Sequence, residues 1–291
     1  MAAKFKNHKV IFLHIPKTAG TTLNTILKRQ YPASRRASLG ALAQQDIARF
    51  KSLSEAERAR IKMLNGHLAY GLHDYMVGPT TYFTILREPI DRIVSFYYFV
   101  YRNPHHYLYD FTHRTNLGLR GYLENKNTIM VDNFQTRLIS GTWDAYPFGE
   151  LPPTALEQAK ENLRNHFAVV GLTEHFDETL LLLRNTFGWR NIFYTPQNVT
   201  SNRPERDSLD TATIDAVTAA NQMDVELYAF AKSLFADQLA KQGPTFPNQL
   251  KSFQATNRLI APLLRTYDSL RHYSVRVHLR EKWESRHVAN R

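Results

Sequence analysis

His14-Ile15-Pro16-Lys17-Thr18-Ala19-Gly20-Thr21-Thr22-Leu23 is the stretch from which the fold is read. Before it, Val10-Ile11-Phe12-Leu13 is a short apolar run of strand type. After it, Leu23, Ile26 and Leu27 recur at helical spacing. The segment is therefore a strand-to-helix loop of small residues with one lysine. Small residues let the backbone approach a ligand, and a helix start offers unpaired N–H groups and a positive dipole end. That suits a phosphate or sulfate group, with Lys17 as a mobile ammonium at the lip. It is not the usual nucleotide P-loop, whose lysine comes at the loop's end before Ser or Thr. Here the lysine comes first and Thr21-Thr22 closes the loop. An ordinary turn is the plain alternative.

Working outward, the 291 residues are 43% hydrophobic, ample for one sizeable core. Lys and Arg number 37 against 26 Asp and Glu, a net charge of +11. Such a surface attracts polyanions of several kinds without choosing among them. The absence of cysteine excludes disulfides, thiolate metal sites and cysteine nucleophiles. No run approaches eighteen apolar residues, and the run at 10–13 is too short for a signal-peptide core. The expectation is a protein without a membrane span, cytoplasmic in location.

Along the chain, 41–50 and 54–60 read as helices, the second with a capping-box start at Ser54 and Glu57. Ile61-Lys62-Met63-Leu64 is a short strand candidate ending at Asn65-Gly66-His67. Thr80 to Arg87 is the clearest strand, and Pro89 suits the first turn of the helix that follows. Residues 102–120 read as a loop rich in Arg and His. Helices are expected over 131–139, 155–163, 178–187, 208–220 and 223–241. Phe167 to Leu172 reads as a buried strand and Ile192-Phe193-Tyr194 as a short edge strand. Alternating strands and helices argue an α/β domain with a mainly parallel sheet. Ligands on such sheets bind beyond the strands' carboxyl ends. The 14–22 loop, His67 and Arg87 each follow a predicted strand, so they are expected to share one crevice.

The segment Leu86-Arg87-Glu88-Pro89-Ile90-Asp91-Arg92-Ile93-Val94-Ser95-Phe96-Tyr97-Tyr98 carries the second signal. Arg87 at a strand end can fork two donors onto one phosphate, and Ser95 adds a hydroxyl eight residues on. The plain reading is a strand–Pro–helix junction with Arg87 paired to Glu88 or Asp91. The third is Leu64-Asn65-Gly66-His67-Leu68-Ala69-Tyr70-Gly71, where His67 is either a base near working pH or one of twelve histidines satisfied within a turn.

Together, in this order, the three segments resemble sulfotransferases that use 3′-phosphoadenosine 5′-phosphosulfate (PAPS), and among them the heparan-sulfate and uronyl 2-O-sulfotransferases and bacterial relatives. Lys-Thr-Ala/Gly-Gly/Ser-Thr is that family's 5′-phosphosulfate loop. The resemblance covers about residues 9–240. It implies a P-loop-like sulfotransferase fold, with a central mainly parallel sheet flanked by helices. The expected organisation is a sulfotransferase domain over 1–243 and a basic C-terminal extension over 244–291 packing on it. Lys17 and His67 would be catalytic, His67 as base. Lys17, Thr18, Ala19, Gly20, Thr21 and Thr22 would hold the 5′ end of PAPS, and Arg87 and Ser95 the 3′-phosphate. Asn198, Ser201 and Arg203 sit where relatives place a loop over the nucleotide, or form a polar loop before a helix. Gln135 and Arg137 in Asn133-Phe134-Gln135-Thr136-Arg137 would face the acceptor or serve a structural helix. Arg102 and His106 are further acceptor-side candidates. His14 resembles the 6-O-sulfotransferase form of the loop and is expected to shape the strand end. The relatives carry His-Gly-His where Asn65 fills the first position here, which removes one histidine.

The implied reaction moves a sulfuryl group from PAPS to a hydroxyl, releasing PAP. No metal is needed, because Lys17 and the loop supply the positive field. The expected acceptor is a carbohydrate, with an anionic saccharide suggested by 102–120; lipid, phenol and small metabolite stay open. Relatives form trimers, so a homo-oligomer is an expectation of the resemblance alone. The lack of an apolar anchor suggests a bacterial enzyme. The tail, 248–291, carries nine Arg or Lys against Asp268, Glu281 and Glu284. Ile260 to Leu270 fits a helix with Pro262 in its first turn, and 273–279 alternates like a strand. Two rivals stand beside this reading. A P-loop NTPase or kinase predicts Mg²⁺-dependent ATP binding. A nonenzymatic nucleic-acid-binding protein predicts salt-sensitive affinity for DNA or RNA.

Overall fold

The computed structural model describes residues 5, 7–40, 43–115, 118–195, 209–264 and 266. Five strands form one sheet, all parallel, in the order β2-β3-β1-β4-β5. They are β1 (Lys9–Leu13), β2 (Arg36–Leu39), β3 (Met63–Gly66), β4 (Thr80–Leu86) and β5 (Phe167–Leu172). Val10, Ile11, Phe12 and Leu13 are all buried, as a central parallel strand covered on both faces must be. From β1 the chain crosses by α1 (Gly20–Gln30) toward β2; from β4 it proceeds the other way, to β5. The direction of winding thus reverses between β1 and β4, where parallel sheets open a crevice at their carboxyl ends.

Helices flank the sheet. α2 (Ala43–Ser52) and α3 (Glu55–Arg60) follow β2, and the expected capping box is present, with Ser54 and Glu57 bonding each other's backbone N–H. The α8 (Pro153–His166), α9 (Phe176–Phe187) and α11 (Gln222–Ala240) helices bring Leu163, Leu180, Leu183 and Leu227 to the main core. A second apolar cluster joins α4 (Pro89–Arg102), α6 (Gly118–Glu124) and α10 (Thr211–Ala220) through Ile93, Val100, Tyr122 and Val217. Among the described residues no helix is long and apolar enough to cross a membrane.

The structure departs from the sequence reading at several elements. β2 was not foreseen: Arg-Ala-Ser-Leu is a polar edge strand with only Leu39 buried. The stretch 102–120, read as a loop, contains α5 (Tyr109–Thr115) and the start of α6, whose Leu119, Tyr122 and Leu123 bury one narrow face. Residues 192–194 join no strand. Phe193 instead stacks on Phe253, 5.6 Å between ring centroids, and Tyr194 N–H donates to Asn257 Oδ1. The helix expected at 131–139 is α7 (Phe134–Ser140), because Asn133 is left-handed at φ 48° and breaks the run.

Among the described residues, 246–264 form a further helix, α12, in which Pro262 lies well past the first turn. Phe246 and Phe253 of α12 belong to the main core. The strand expected at 273–279 lies outside the described residues.

Candidate active site

The loop after β1 is held shut by its own backbone and side chains. Lys17 and Ala19 are left-handed, φ 74° and 61°. Thr18 is buried and its hydroxyl donates to Ile15 O at 2.8 Å. The first helical bond of α1 is Leu23 N–H to Ala19 O, so the amides of residues 20–22 precede the ladder. Turns with alternating handedness aim successive N–H groups at one spot, an anion-binding shape. Gly20 is required. A Cβ built there would lie 1.7 Å from Nε2 of His14, whose ring fills the space beneath.

His14 is one of four stacked rings. Phe83 of β4 stacks on Phe12 of β1 at 4.7 Å, Phe12 on His14 at 5.2 Å, and His14 on His67 at 4.5 Å. The column carries the packing of the core up to the loop after β3. Burial, reinforced by His67 and Lys17, holds the His14 imidazole well below its ordinary pKa, so it is neutral. Burial also lowers His67, against a smaller opposing effect of its hydrogen bond to His14. His67 Nδ1 lies 3.2 Å from His14 O. A carbonyl only accepts, so Nδ1 carries the proton and Nε2 keeps its lone pair. That is the tautomer a general base needs. Gly66 precedes it at φ +148°, where a Cβ would meet Leu39 O at 2.2 Å.

Asn65, in the position of the missing histidine, is buried. Its Nδ2 donates to Asn24 Oδ1 at 3.0 Å and its Oδ1 accepts from Ser38 at 2.9 Å. It links β3 to β2 and α1.

Arg87, the first residue beyond β4, reaches across to the loop. Its Nη1 donates to Lys17 O at 3.0 Å. Its own N–H and C=O are both bonded by the Gln135 carboxamide, at 3.0 and 2.9 Å. The Lys17 ammonium sits 4.1 Å from the centre of the Phe99 ring. His106 stands edge-on to Phe99 at 5.7 Å and has its pKa lowered by burial and then by Lys17. Ser95 is buried on α4.

The structure thus gathers the 14–22 loop, His67, Arg87, Gln135 and His106 at one end of the sheet. Arg102 is exposed, over Tyr98 at 5.6 Å. Gln135 and Arg137 are both inaccessible to solvent, which favours the structural side of the pair of readings given for them. Arg137 bonds Asp132, the carbonyls of Tyr146 and Pro147, and Asp132 O, leaving little of the guanidinium for a ligand. Asn198, Ser201 and Arg203 lie outside the described residues. Phe99 and Asp224 were missed. Phe99 had no mark beyond its place on α4, and Asp224 had only its position at a helix start.

Comparison with known proteins bears on this arrangement. Heparan sulfate 2-O-sulfotransferase 1 of Gallus gallus is 26% identical over 203 residues, 60% of this chain and 53% of that protein. Galactose-3-O-sulfotransferase 2 of Sus scrofa is 28% identical over 202 residues, covering 62% and 49%. The Mus musculus heparan sulfate 2-O-sulfotransferase 1 is 25% identical over 197 residues. The chain spans about half the length of the curated relatives it matches. The galactose-3-O-sulfotransferase family matches residues 3–265, so the 14–22 loop, His67 and Arg87 all fall within it, and the chain belongs to that family.

Proposed function

We propose that the chain transfers a sulfuryl group from PAPS to a hydroxyl of a carbohydrate acceptor. The observation that carries this reading is the clasp across the β1/β4 reversal: Arg87 Nη1 on the carbonyl of left-handed Lys17. It sets a guanidinium and an amide-lined turn facing one crevice, as a nucleotide phosphorylated at both ends requires. The cradle fits such a group, since Lys17 and Ala19 are left-handed and the amides of residues 20–22 precede the helical ladder at the start of α1.

Residues 17–22 would hold the 5′ phosphosulfate, and Arg87 with Ser95 the 3′-phosphate. Bound PAPS supplies a sulfuryl group on a good leaving phosphate. Displacement of this kind depends on position and charge more than on covalent chemistry. His67 Nε2 would take the acceptor's proton as the new S–O bond forms and the bond from sulfur to the phosphate oxygen breaks. Lys17 would neutralise the charge appearing on that oxygen. The acceptor class rests on the relatives' names, heparan sulfate and galactose.

Calorimetry with PAP, ADP and an oligonucleotide separates this reading from an NTPase and from a nucleic-acid-binding protein. PAP should bind best, without Mg²⁺. Lys17→Ala and His67→Ala should each lower turnover by about 10² or more with the fold intact. Full activity in His67→Ala would remove the base from the mechanism.

A further inference from the structure

We infer that Gln135 is a positioning residue for Arg87, acting on the nucleotide through that arginine without touching it; this rests on the reading of Arg87 given above. β4 ends at Leu86, paired in register with Leu172 of β5. Arg87 is the next residue, just past the end of that register. There the Gln135 carboxamide continues the ladder: Oε1 accepts the Arg87 N–H at 3.0 Å and Nε2 donates to the Arg87 C=O at 2.9 Å. The N–H and C=O of one residue in extended backbone face the same side, so one amide can bond both. Two bonds at one residue fix the direction in which its side chain leaves the backbone. At the far end of that side chain, Nη1 meets Lys17 O.

Gln135 is itself held from behind. Its N–H donates to Asp224 Oδ2 at 3.1 Å, while the Thr136 N–H and hydroxyl donate to Asp224 Oδ1 at 2.7 and 2.8 Å. In return, Asn133 Oδ1 accepts the N–H groups of Met223 and Asp224. The starts of α7 and α11 therefore cap one another. The chain of bonds Asp224–Gln135–Arg87–Lys17 runs from this buried joint to the phosphate turn. Gln135 is 0% exposed, with both polar atoms of its carboxamide on the Arg87 backbone. A fork onto phosphate tolerates little misplacement, so a side chain that fixes the arginine's backbone matters to binding although it touches no ligand.

The test compares two nucleotides that differ in the 3′-phosphate, PAP and adenosine 5′-monophosphate, titrated calorimetrically into the full chain. Gln135→Met keeps the volume and removes both bonds. It should weaken PAP roughly tenfold, as loss of one to two hydrogen bonds would, and weaken the monophosphate clearly less, only through the Arg87 bond to Lys17 O. Arg87→Ala should weaken PAP at least as much, and the double variant no more than Arg87→Ala alone. A general disturbance of the fold would instead weaken both nucleotides alike, or multiply with Arg87→Ala; either result overturns the inference, as does unchanged PAP binding in Gln135→Met. Should Gln135→Met not fold, Gln135→Glu serves, keeping the acceptor for the Arg87 N–H and losing the donor to its C=O, and the same selective loss of PAP is expected. A wild-type chain that binds PAP no better than the monophosphate sinks the nucleotide reading itself. Wild-type preference for PAP that survives Gln135→Met sinks only the role of Gln135.

Discussion

Lys17 combines a strained backbone with a tethered charge. A left-handed conformation at a residue with a Cβ costs roughly 1–2 kcal/mol, and here it places the carbonyl under Arg87 and the ammonium over Phe99. Phe99 is 39% exposed, too open to matter much to the core. A cation over an exposed ring gains about 0.5–1 kcal/mol. Phe99→Leu keeps the bulk and removes the ring face, so turnover should fall about three- to fivefold while the melting temperature stays put. Equal turnover in the two proteins would mean the ring does not hold the ammonium in the working enzyme. His67 gives the second expectation at this scale. Burial lowers its pKa, so the neutral, base-competent form persists to lower pH than in free histidine. In kcat/KM against pH, the acid limb should therefore lie below about 6.5, activity rising as the proton is lost. His67→Ala should abolish the limb along with most of the rate. A limb above the free-histidine value would contradict the environment described. Arg137 shows why site residues are hard to read one at a time. In sequence it looks like any cation near a motif, and only the fold brings Asp132 and two carbonyls around it.

Elements were legible where the residues encode their own local order. β1 contains the apolar run Val10 to Leu13, β4 leads into a helix opened by Pro89, and α3 carries both halves of its cap. β2 was hidden because an edge strand with one buried side chain has no alternation to read. The apolar residues at 192–194 misled because Phe193 stacks on Phe253 of α12 and the Tyr194 ring meets Phe176 of α9, not the sheet. The 14–22 loop was legible from its small residues, and the structure gives one of them a steric reason. Gly20 opens α1 directly over the His14 ring, and that ring is clamped between Phe12 and His67. Gly20→Ala must therefore displace the first turn of α1, since the ring has nowhere to go. The expected cost is about 1–3 kcal/mol, the range for overpacking, together with at least tenfold weaker PAP binding. Making room beneath should undo part of the damage: His14→Ala/Gly20→Ala should be more stable than the sum of the single changes predicts. Strict additivity in chemical denaturation would show that the two residues do not meet.

For the whole molecule, the question is where the folded unit stops. A break between helices at Gly243 suggests a boundary there, with residues 244–291 as a basic extension. Within that extension α12 sends Phe246 and Phe253 into the same core as β1 and α9. Three of its polar side chains are tied to the body: Gln249 Oε1 accepts from Arg184 at 2.9 Å, Gln254 donates to Asp177 at 3.0 Å, and Asn257 accepts the Tyr194 N–H at 2.8 Å. Removing one buried Phe typically costs 3–5 kcal/mol, and a domain holds only about 5–15 kcal/mol in total. A chain cut after residue 243 should therefore be unfolded or aggregate on expression. A chain cut after residue 266 retains every one of these contacts and loses the densest cationic stretch of the tail. It should melt within a few degrees of the full chain and bind PAP with the same affinity, because the clasp between Arg87 and Lys17 lies at the carboxyl end of the sheet and is built from residues of the body. Circular dichroism melts and PAP titration of both truncations decide the matter. A cooperative, full-length melting temperature in the chain cut after 243 would make α12 a dispensable addition, and loss of PAP binding in the chain cut after 266 would bring the basic tail into the nucleotide site.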